Sequence, residues 1–167
     1  MRTLRITAAD VKDGKYVGKE DVSNFEGHIE IAGGLGWVTF AGYLCASGYI
    51  SAGAGSGIKA GEGIEAGWGI EAGEGIVSGL WISCKAVLTF RLRLFAGVCW
   101  WREITDDEKT ITCGVLRGGE VCYGIVKETG LEAATVATST VTVSVPDLAT
   151  RIAAVEERLA VVEEEIA

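Results

Sequence analysis

Apolar residues recur every six positions through the middle of the chain. From Gly57 the sequence reads GIKAGE, GIEAGW, GIEAGE, GIVSGL, and Ile58, Ile64, Ile70, Ile76 and Ile82 hold the frame without a slip. Leu88, Leu94 and Trp100 continue it. Two positions after the apolar residue comes a small one: Ala60, Ala66, Ala72, Ser78 and Cys84. Upstream, Val38, Leu44 and Ile50 also step by six, set off by a two-residue insertion around Gly53–Gly57. Ten or eleven hexads are present, sharpest in the middle.

Six is a multiple of two and not of 3.6, so a helix would carry these isoleucines round its cylinder, whereas a strand keeps them on one face. Glycine at two of six positions also opposes a helix, at about 1 kcal/mol each. A short strand followed by a glycine turn satisfies both facts. The isoleucine points inward, the small residue shares its face, and glycine is expected to take the turn dihedral. One hexad cannot bury its own face, so hexads must stack into a prism-like or helical β-solenoid.

The flanks have other patterns. Residues 1–35 read as an N-terminal arm or small β-element, with turns at Lys12-Asp13-Gly14-Lys15 and Val17-Gly18-Lys19-Glu20. After the repeat (36–101), Glu103–Lys109 is a polar loop. Thr110–Leu116 and Glu120–Lys127 read as strands of a hairpin around Arg117-Gly118-Gly119, and Thr135–Val145 alternates Thr/Ser with Val as a further strand. Pro146 ends that region (102–145), and Asp147 or Ser144 is placed to cap a helix.

Residues 146–167 carry a heptad seam. Leu148, Ile152, Val155, Leu159, Val162 and Ile166 are spaced 4, 3, 4, 3, 4, the a/d pattern of a coiled coil. With Ile152, Leu159 and Ile166 at a, the g positions hold Arg151 and Arg158 and the e positions Glu156 and Glu163. Both parallel interhelical pairs, Arg151–Glu156 and Arg158–Glu163, are then attractive. RIAAVE and RLAVVE each fit the Arg-apolar-x-x-apolar-Glu pattern of trimeric coiled coils, and valine at d disfavours two strands. A lone helix of this length is marginal in water, while each buried seam side chain is worth about 1.5–3 kcal/mol. A homotrimer is expected; another oligomer, or packing on the chain's own body, are the alternatives. A threefold axis leaves two arrangements open for the repeat: one solenoid per chain, or a β-prism shared by three chains.

Composition narrows the function. The 167 residues fit one ordinary domain with an appendage, and 24 glycines without a Gly-X-Y triplet exclude collagen. Net charge is −8, half of it from residues 147–167, so no basic face for nucleic acid is expected. Five cysteines, Cys45, Cys84, Cys99, Cys113 and Cys122, lack CxxC spacing and read as buried thiols in a reducing compartment. With His28 as the one histidine, no metal site is expected. Met1–Asp10 has no apolar run of signal length, and Lys85, Arg91 and Arg93 interrupt the most apolar stretch. Synthesis and folding in a cytoplasm, away from membranes, are therefore expected.

The hexads resemble the left-handed β-helix family over residues 38–100. The large fourth-position residues Glu62, Trp68, Glu74 and Leu80 depart from that family's small-residue preference, which weighs against its coil of three hexads per turn. The run GIEAGWGIEAGEG followed by LRLFAGVCWWR is similar to uncharacterised bacteriophage and prophage proteins, over residues 55–125. That resemblance implies a phage-encoded virion protein. Together with a trimeric coil it implies a capsid decoration or head-fibre protein whose partner is the major capsid protein or another virion protein.

Candidate chemistry is sparse. Hexapeptide acyltransferases use a histidine base, but His28 precedes the regular hexads, and no enzyme activity or cofactor is expected. The GxGxxG-like spacing in 53–63 is accounted for by the repeat. Glu65 and Glu71 hold equivalent hexad positions near Lys59 and are expected to stack as a ladder on a solvated face. Trp68, Trp81, Trp100 and Trp101 are candidates for a partner patch, since Trp and Arg favour interfaces. The other function classes are a glycan- or receptor-binding tail-fibre module and a bactofilin-like polymer.

Overall fold

The structure, a computed structural model, describes residues 1–130. The strand expected over Thr135–Val145 and the heptad seam from Leu148 to Ile166 lie outside the described residues. Within 1–130 the chain is mostly β, built on parallel strands, with no α-helix among the described residues.

The elements follow the hexads. An edge coil contains β1 (Arg2–Ile6), β2 (Val11–Lys12) and β3 (Lys15–Tyr16). The next coil is β4 (Gly27–Ile31), β5 (Gly36–Phe40) and β6 (Leu44–Ala46), followed by β7 (Ile50–Ala52), β8 (Ser56–Ala60) and β9 (Ile64–Ala66). Then come β10 (Ile70–Ala72), β11 (Ile76–Ser78) and β12 (Ile82–Cys84). In the fifth coil β13 (Val87–Ala96) runs across two faces before β14 (Thr110–Cys113), and in the last described coil β15 (Val115–Tyr123) does the same before β16 (Ile125–Glu128).

Each strand pairs in parallel with the strand one coil away, never with its sequence neighbour, save for the antiparallel β2–β3 hairpin. Three faces result. The first carries β1, β4, β7, β10 and the opening halves of β13 and β15. The second carries β3, β5, β8, β11 and the closing halves of β13 and β15; the third is β6-β9-β12-β14-β16. All these partners belong to one chain, so the repeat closes its ladders without strands from a sister copy.

Registers set the turn length. Ile70 pairs with Leu88, Ile76 with Leu94 and Ile64 with Ile82, eighteen residues or three hexads apart. Across the 53–57 insertion the spacing is twenty, as in Ile50–Ile70, Val38–Ile58 and Leu44–Ile64. The coil therefore does hold three hexads per turn, contrary to the expectation drawn from Glu62, Trp68, Glu74 and Leu80. Those residues sit at the corners between strands, and Glu62, Trp68 and Glu74 keep part of their surface in solvent, where size is less constrained. Leu80 alone of the four is buried, at the corner where the Gly97 amide bonds its carbonyl.

The hairpin expected around Arg117-Gly118-Gly119 does not form. Residues 115–123 are one continuous strand paired in parallel with β13, and β16 pairs in parallel with β14. Apolar Leu116, Val121 and Val126 are in register with Leu88, Leu94 and Ile111, and stacking on those columns outweighs a local turn. The true hairpin is at Asp13-Gly14, where both residues have positive φ (52° and 72°), the two-residue turn that Asp-Gly favours.

The core is a set of columns. Ile58, Ile64, Ile70, Ile76, Ile82, Leu88 and Leu94 are all buried, with the small residues two positions later beneath them. Buried Ser78 keeps its hydroxyl within 2.6 and 3.0 Å of the Glu62 and Trp81 carbonyls. Ser56, in the insertion, donates to the Ala32 carbonyl (2.7 Å) and accepts from the Leu35 amide (3.0 Å).

The hexad glycines have a different task from the one expected. Gly61, Gly67, Gly73 and Gly79 are not at positive φ. A Cβ on any of them would overlap a carbonyl oxygen of the preceding coil, those of Ala41, Ser47, Gly53 and Gly61 respectively. Glycine is there because backbones of successive coils meet at the corner.

Candidate functional site

With the inward positions filled by the core, chemistry is left to outward side chains and corners. The central outward row of the first face reads Arg5, Glu30, Ser51, Glu71, Thr89, Arg117. Glu30 accepts from the Tyr49 hydroxyl (2.5 Å) and from Arg5 Nε (3.2 Å). The Tyr49 bond, reinforced by Arg5, holds the Glu30 carboxyl below the usual range, and the same bond pushes the Tyr49 phenol up. Glu71 stands between the hydroxyl residues Ser51 and Thr89. An open groove of about 430 Å³ follows them, lined by Tyr49, Ser51, Gly69, Glu71, Val87 and Thr89.

The expected Glu65–Glu71 ladder is absent. Residues six apart lie on successive faces of a three-sided coil, so Glu71 is on the first face, Glu65 on the third between Cys45 and Ser83, and Lys59 on the second between Thr39 and Val77. Among the described residues no group of His, Cys, Asp and Glu is placed to hold a metal ion.

Each corner carries an aromatic column just before the inward apolar residue. At one, His28 and Tyr49 stack at 4.0 Å and Gly69 follows. At the next, Trp37 lies over Gly57 and reaches Gly75; a Cβ at those glycines would come within 2.8 and 3.0 Å of its ring. At the third, Tyr43 and Trp81 are 5.7 Å apart with Gly63 between their coils, and a Cβ at Gly63 would lie 2.9 Å from Trp81. An aromatic ring on one coil is thus accommodated by a glycine on its neighbour. The aromatics at 37, 43 and 49 escaped the hexad reading because they replace the glycine of the frame. Comparing positions one coil apart, 37/57/75 and 43/63/81, exposes them.

His28 has a structural task. Its Nδ1 accepts the Tyr49 amide (3.0 Å), and the space its ring fills is where a Cβ of Gly48 would be.

The four tryptophans do not form one patch. Trp68, 57% exposed, stands edge-on to His28 at 6.1 Å on the corner leading into the first face. Trp81 lies on the corner leading into the third face. The 97–109 segment leaves from that corner, where the Trp101 ring approaches Gly79. Trp100 and Trp101 meet edge to face at 6.0 Å, and Trp100 is 88% exposed. Arg102 anchors the segment by two bonds to Glu108 (2.9 and 2.5 Å), and Glu108 also accepts the Thr105 amide (3.0 Å). These bonds hold the Glu108 carboxyl down at about 2.

The cysteines divide by burial. Cys84 and Cys113 are buried, which pushes their thiols up to about 12 and about 11, while Cys122 is exposed. The expectation of five buried thiols therefore holds for two of them.

The surface so arranged can stack flat groups on Trp68, Tyr49 or Trp100 and offer a carboxylate flanked by hydroxyls. Comparison with family models, with curated proteins and with solved structures finds no match to this chain.

Proposed function

We propose that the chain is a structural accessory protein of a virion, a homotrimer that binds the particle surface as a capsid decoration or head-fibre protein. The observation that carries this reading is a division of labour. Residues 1–130 stack their apolar columns within one chain, while the strict a/d seam from Leu148 to Ile166 is a separate apolar stripe needing partners of its own. The GIEAG and LRLFAGVCWWR runs, similar to phage proteins, supply the setting. Trp100 and Trp101, projected on an inserted segment, are the side chains best placed to meet a capsid protein.

Mass measurement in solution of the full chain and of a chain ending at residue 146 tests the assembly. A trimer that falls apart on losing the seam is expected; monomers in both overturn the reading.

The Trp68–Tyr49–Glu71 arrangement favours a second reading, a glycan-binding module. An aromatic ring beside a carboxylate and two hydroxyl residues suits the apolar face and hydroxyls of a sugar. Binding of an oligosaccharide panel that Trp68→Ala abolishes would favour it over the first.

A further inference from the structure

The three aromatic corners are built alike, but one of them stays open. Each runs through an aromatic residue, a glycine one coil on and a third residue one coil further. These are Trp37, Gly57 and Gly75; Tyr43, Gly63 and Trp81; and Tyr49, Gly69 and Val87. The Trp37 ring covers both of its glycines, and the Trp81 ring covers Gly63 and closes on Tyr43 at 5.7 Å. Tyr49 turns the other way. It stacks on His28 of the preceding coil at 4.0 Å and donates its hydroxyl to Glu30. The counterpart of Trp81 is Val87, which has no ring to lay over the glycine. The three atoms nearest to a Cβ on Gly69 are accordingly Val87 backbone atoms. The open groove of about 430 Å³ lies here.

The spacing of the coils sets its width. Tyr49 and Val87 are two coils apart, about 9.5 Å, which after their own thickness leaves about 6 Å, room for one six-membered ring. The lining sets the chemistry of that ring. Glu71 stands on the middle coil, with Ser51 and Thr89 in register on the coils either side. Its side chain is exposed and has no hydrogen-bond or ion-pair partner among the described residues. It is also the one charged residue lining the groove. A carboxylate so placed accepts from hydroxyl donors and repels an anion. Beside the Tyr49 ring this suits a group with an apolar face and several hydroxyls at its edge, which is a sugar ring.

We infer that the slot over Gly69 binds a single uncharged pyranose unit of a glycan. The unit stacks on the face of Tyr49 that His28 leaves free and donates hydroxyls to Glu71. Trp68, exposed and next in sequence to Gly69, is left to receive the adjoining unit. The inference rests on the glycan reading above and adds the subsite, the unit it takes and the exclusion of acidic sugars.

Titration calorimetry on the full chain tests it, with neutral hexose and N-acetylhexosamine tetrasaccharides as probes and hexuronic acid tetrasaccharides as their anionic counterparts. A neutral probe is expected to bind, and the uronic acids about tenfold or more weakly. Glu71→Gln should weaken the neutral probe about tenfold and narrow its lead over the uronic acids. Val87→Trp copies the Tyr43–Gly63–Trp81 corner, and should remove binding while the urea midpoint is kept. Should Val87→Trp not fold, the exposed Glu71→Gln carries the comparison. Binding that Trp68→Ala abolishes but Val87→Trp or Glu71→Gln leaves intact overturns the slot and spares the glycan reading. Uronic acids bound as tightly as neutral sugars also overturn the slot alone, and no binding by any probe overturns both.

Discussion

Alanine at Gly67 and alanine at Gly42 are expected to move stability in opposite directions. Both glycines lie at corners, and neither has positive φ. A Cβ on Gly67 would overlap the Ser47 carbonyl oxygen and lie 2.7 Å from its carbonyl carbon, with backbone on the far side. Relief requires the two coils to part at that corner. The bonds from the Gly67 amide to the Ala46 carbonyl (2.9 Å) and from the Trp68 amide to the Gly48 carbonyl (3.0 Å) are then lost or stretched. Overpacking typically costs about 1–3 kcal/mol and each of the two backbone bonds about 0.5–1.5 kcal/mol net, so Gly67→Ala should destabilise by about 2–6 kcal/mol. Gly42 is the counterpart of Glu62, at the outward corner position. Its Cβ would meet nothing closer than the Glu62 carboxylate at 3.8 Å. Removing glycine's unfolded-state freedom there should stabilise by about 0.4–1 kcal/mol. Urea denaturation followed by circular dichroism measures both. If Gly67→Ala costs no more than Gly42→Ala, the close backbone approach is not what selects glycine, and the account of the repeat fails.

Ile70→Ala should cost about 2–5 kcal/mol in the same assay, because it empties a position between Ile50 and Leu88 in a closed column; a loss under about 1 kcal/mol would contradict the stacking. With a chromogenic disulfide reagent at pH 8, Cys122 should react at once, and Cys84 and Cys113 only on unfolding, their thiols being buried and held at about 12 and about 11. Prompt labelling of Cys84 would mean that its coil opens. The Arg102–Glu108 anchor has a definite pH sign. Glu108 is lowered in the folded chain, so its contribution is complete above the ordinary carboxyl range and is lost as pH falls through about 2. Tryptophan fluorescence should show no step near pH 4.5 that Glu108→Gln abolishes; such a step would place the anchor wrongly.

Much of this fold could be read from residue order because the hexad spacing encodes the alternation of a strand. Period two within each hexad gave the inward isoleucines and their small partners, and the two-residue slip at Gly53–Gly57 appears in the registers as coils of twenty rather than eighteen. The number of faces was not legible. Three-fold coiling is a relation between residues eighteen apart, and a consensus that repeats every six looks the same whichever hexads are superposed. That is why Glu65 and Glu71 were expected to stack although they lie on different faces. The large corner residues misled for a related reason: their outward direction is fixed by the turn, which a pattern of small and large residues does not specify. At residues 110–127 local turn chemistry around Gly118-Gly119 competed with long-range stacking, and stacking prevailed. A Cβ at Gly118 would overlap the Phe90 carbonyl oxygen and one at Gly119 that of Leu92, so these glycines too mark close backbone approach.

The candidate surface follows from the same constraint. An inward frame that tolerates little leaves recognition to positions the stacking does not use, namely the central outward residue of each strand and the corner between two glycines. In the four regular hexads the first is Lys59, Glu65, Glu71 or Val77, and the second is Glu62, Trp68, Glu74 or the buried Leu80. Within the four regular hexads Trp68 is therefore the exposed ring, standing edge-on to His28 on coils whose backbones meet closely at the corners. Trp100 and Trp101 reach solvent by the opposite route, through an insertion that leaves the frame and is tied back by Arg102 and Glu108. A rigid ring on the frame and a tethered pair off it are separable by substitution without touching the core. Whichever of Trp68→Ala and Trp100→Ala abolishes attachment to a particle or a sugar identifies the working surface.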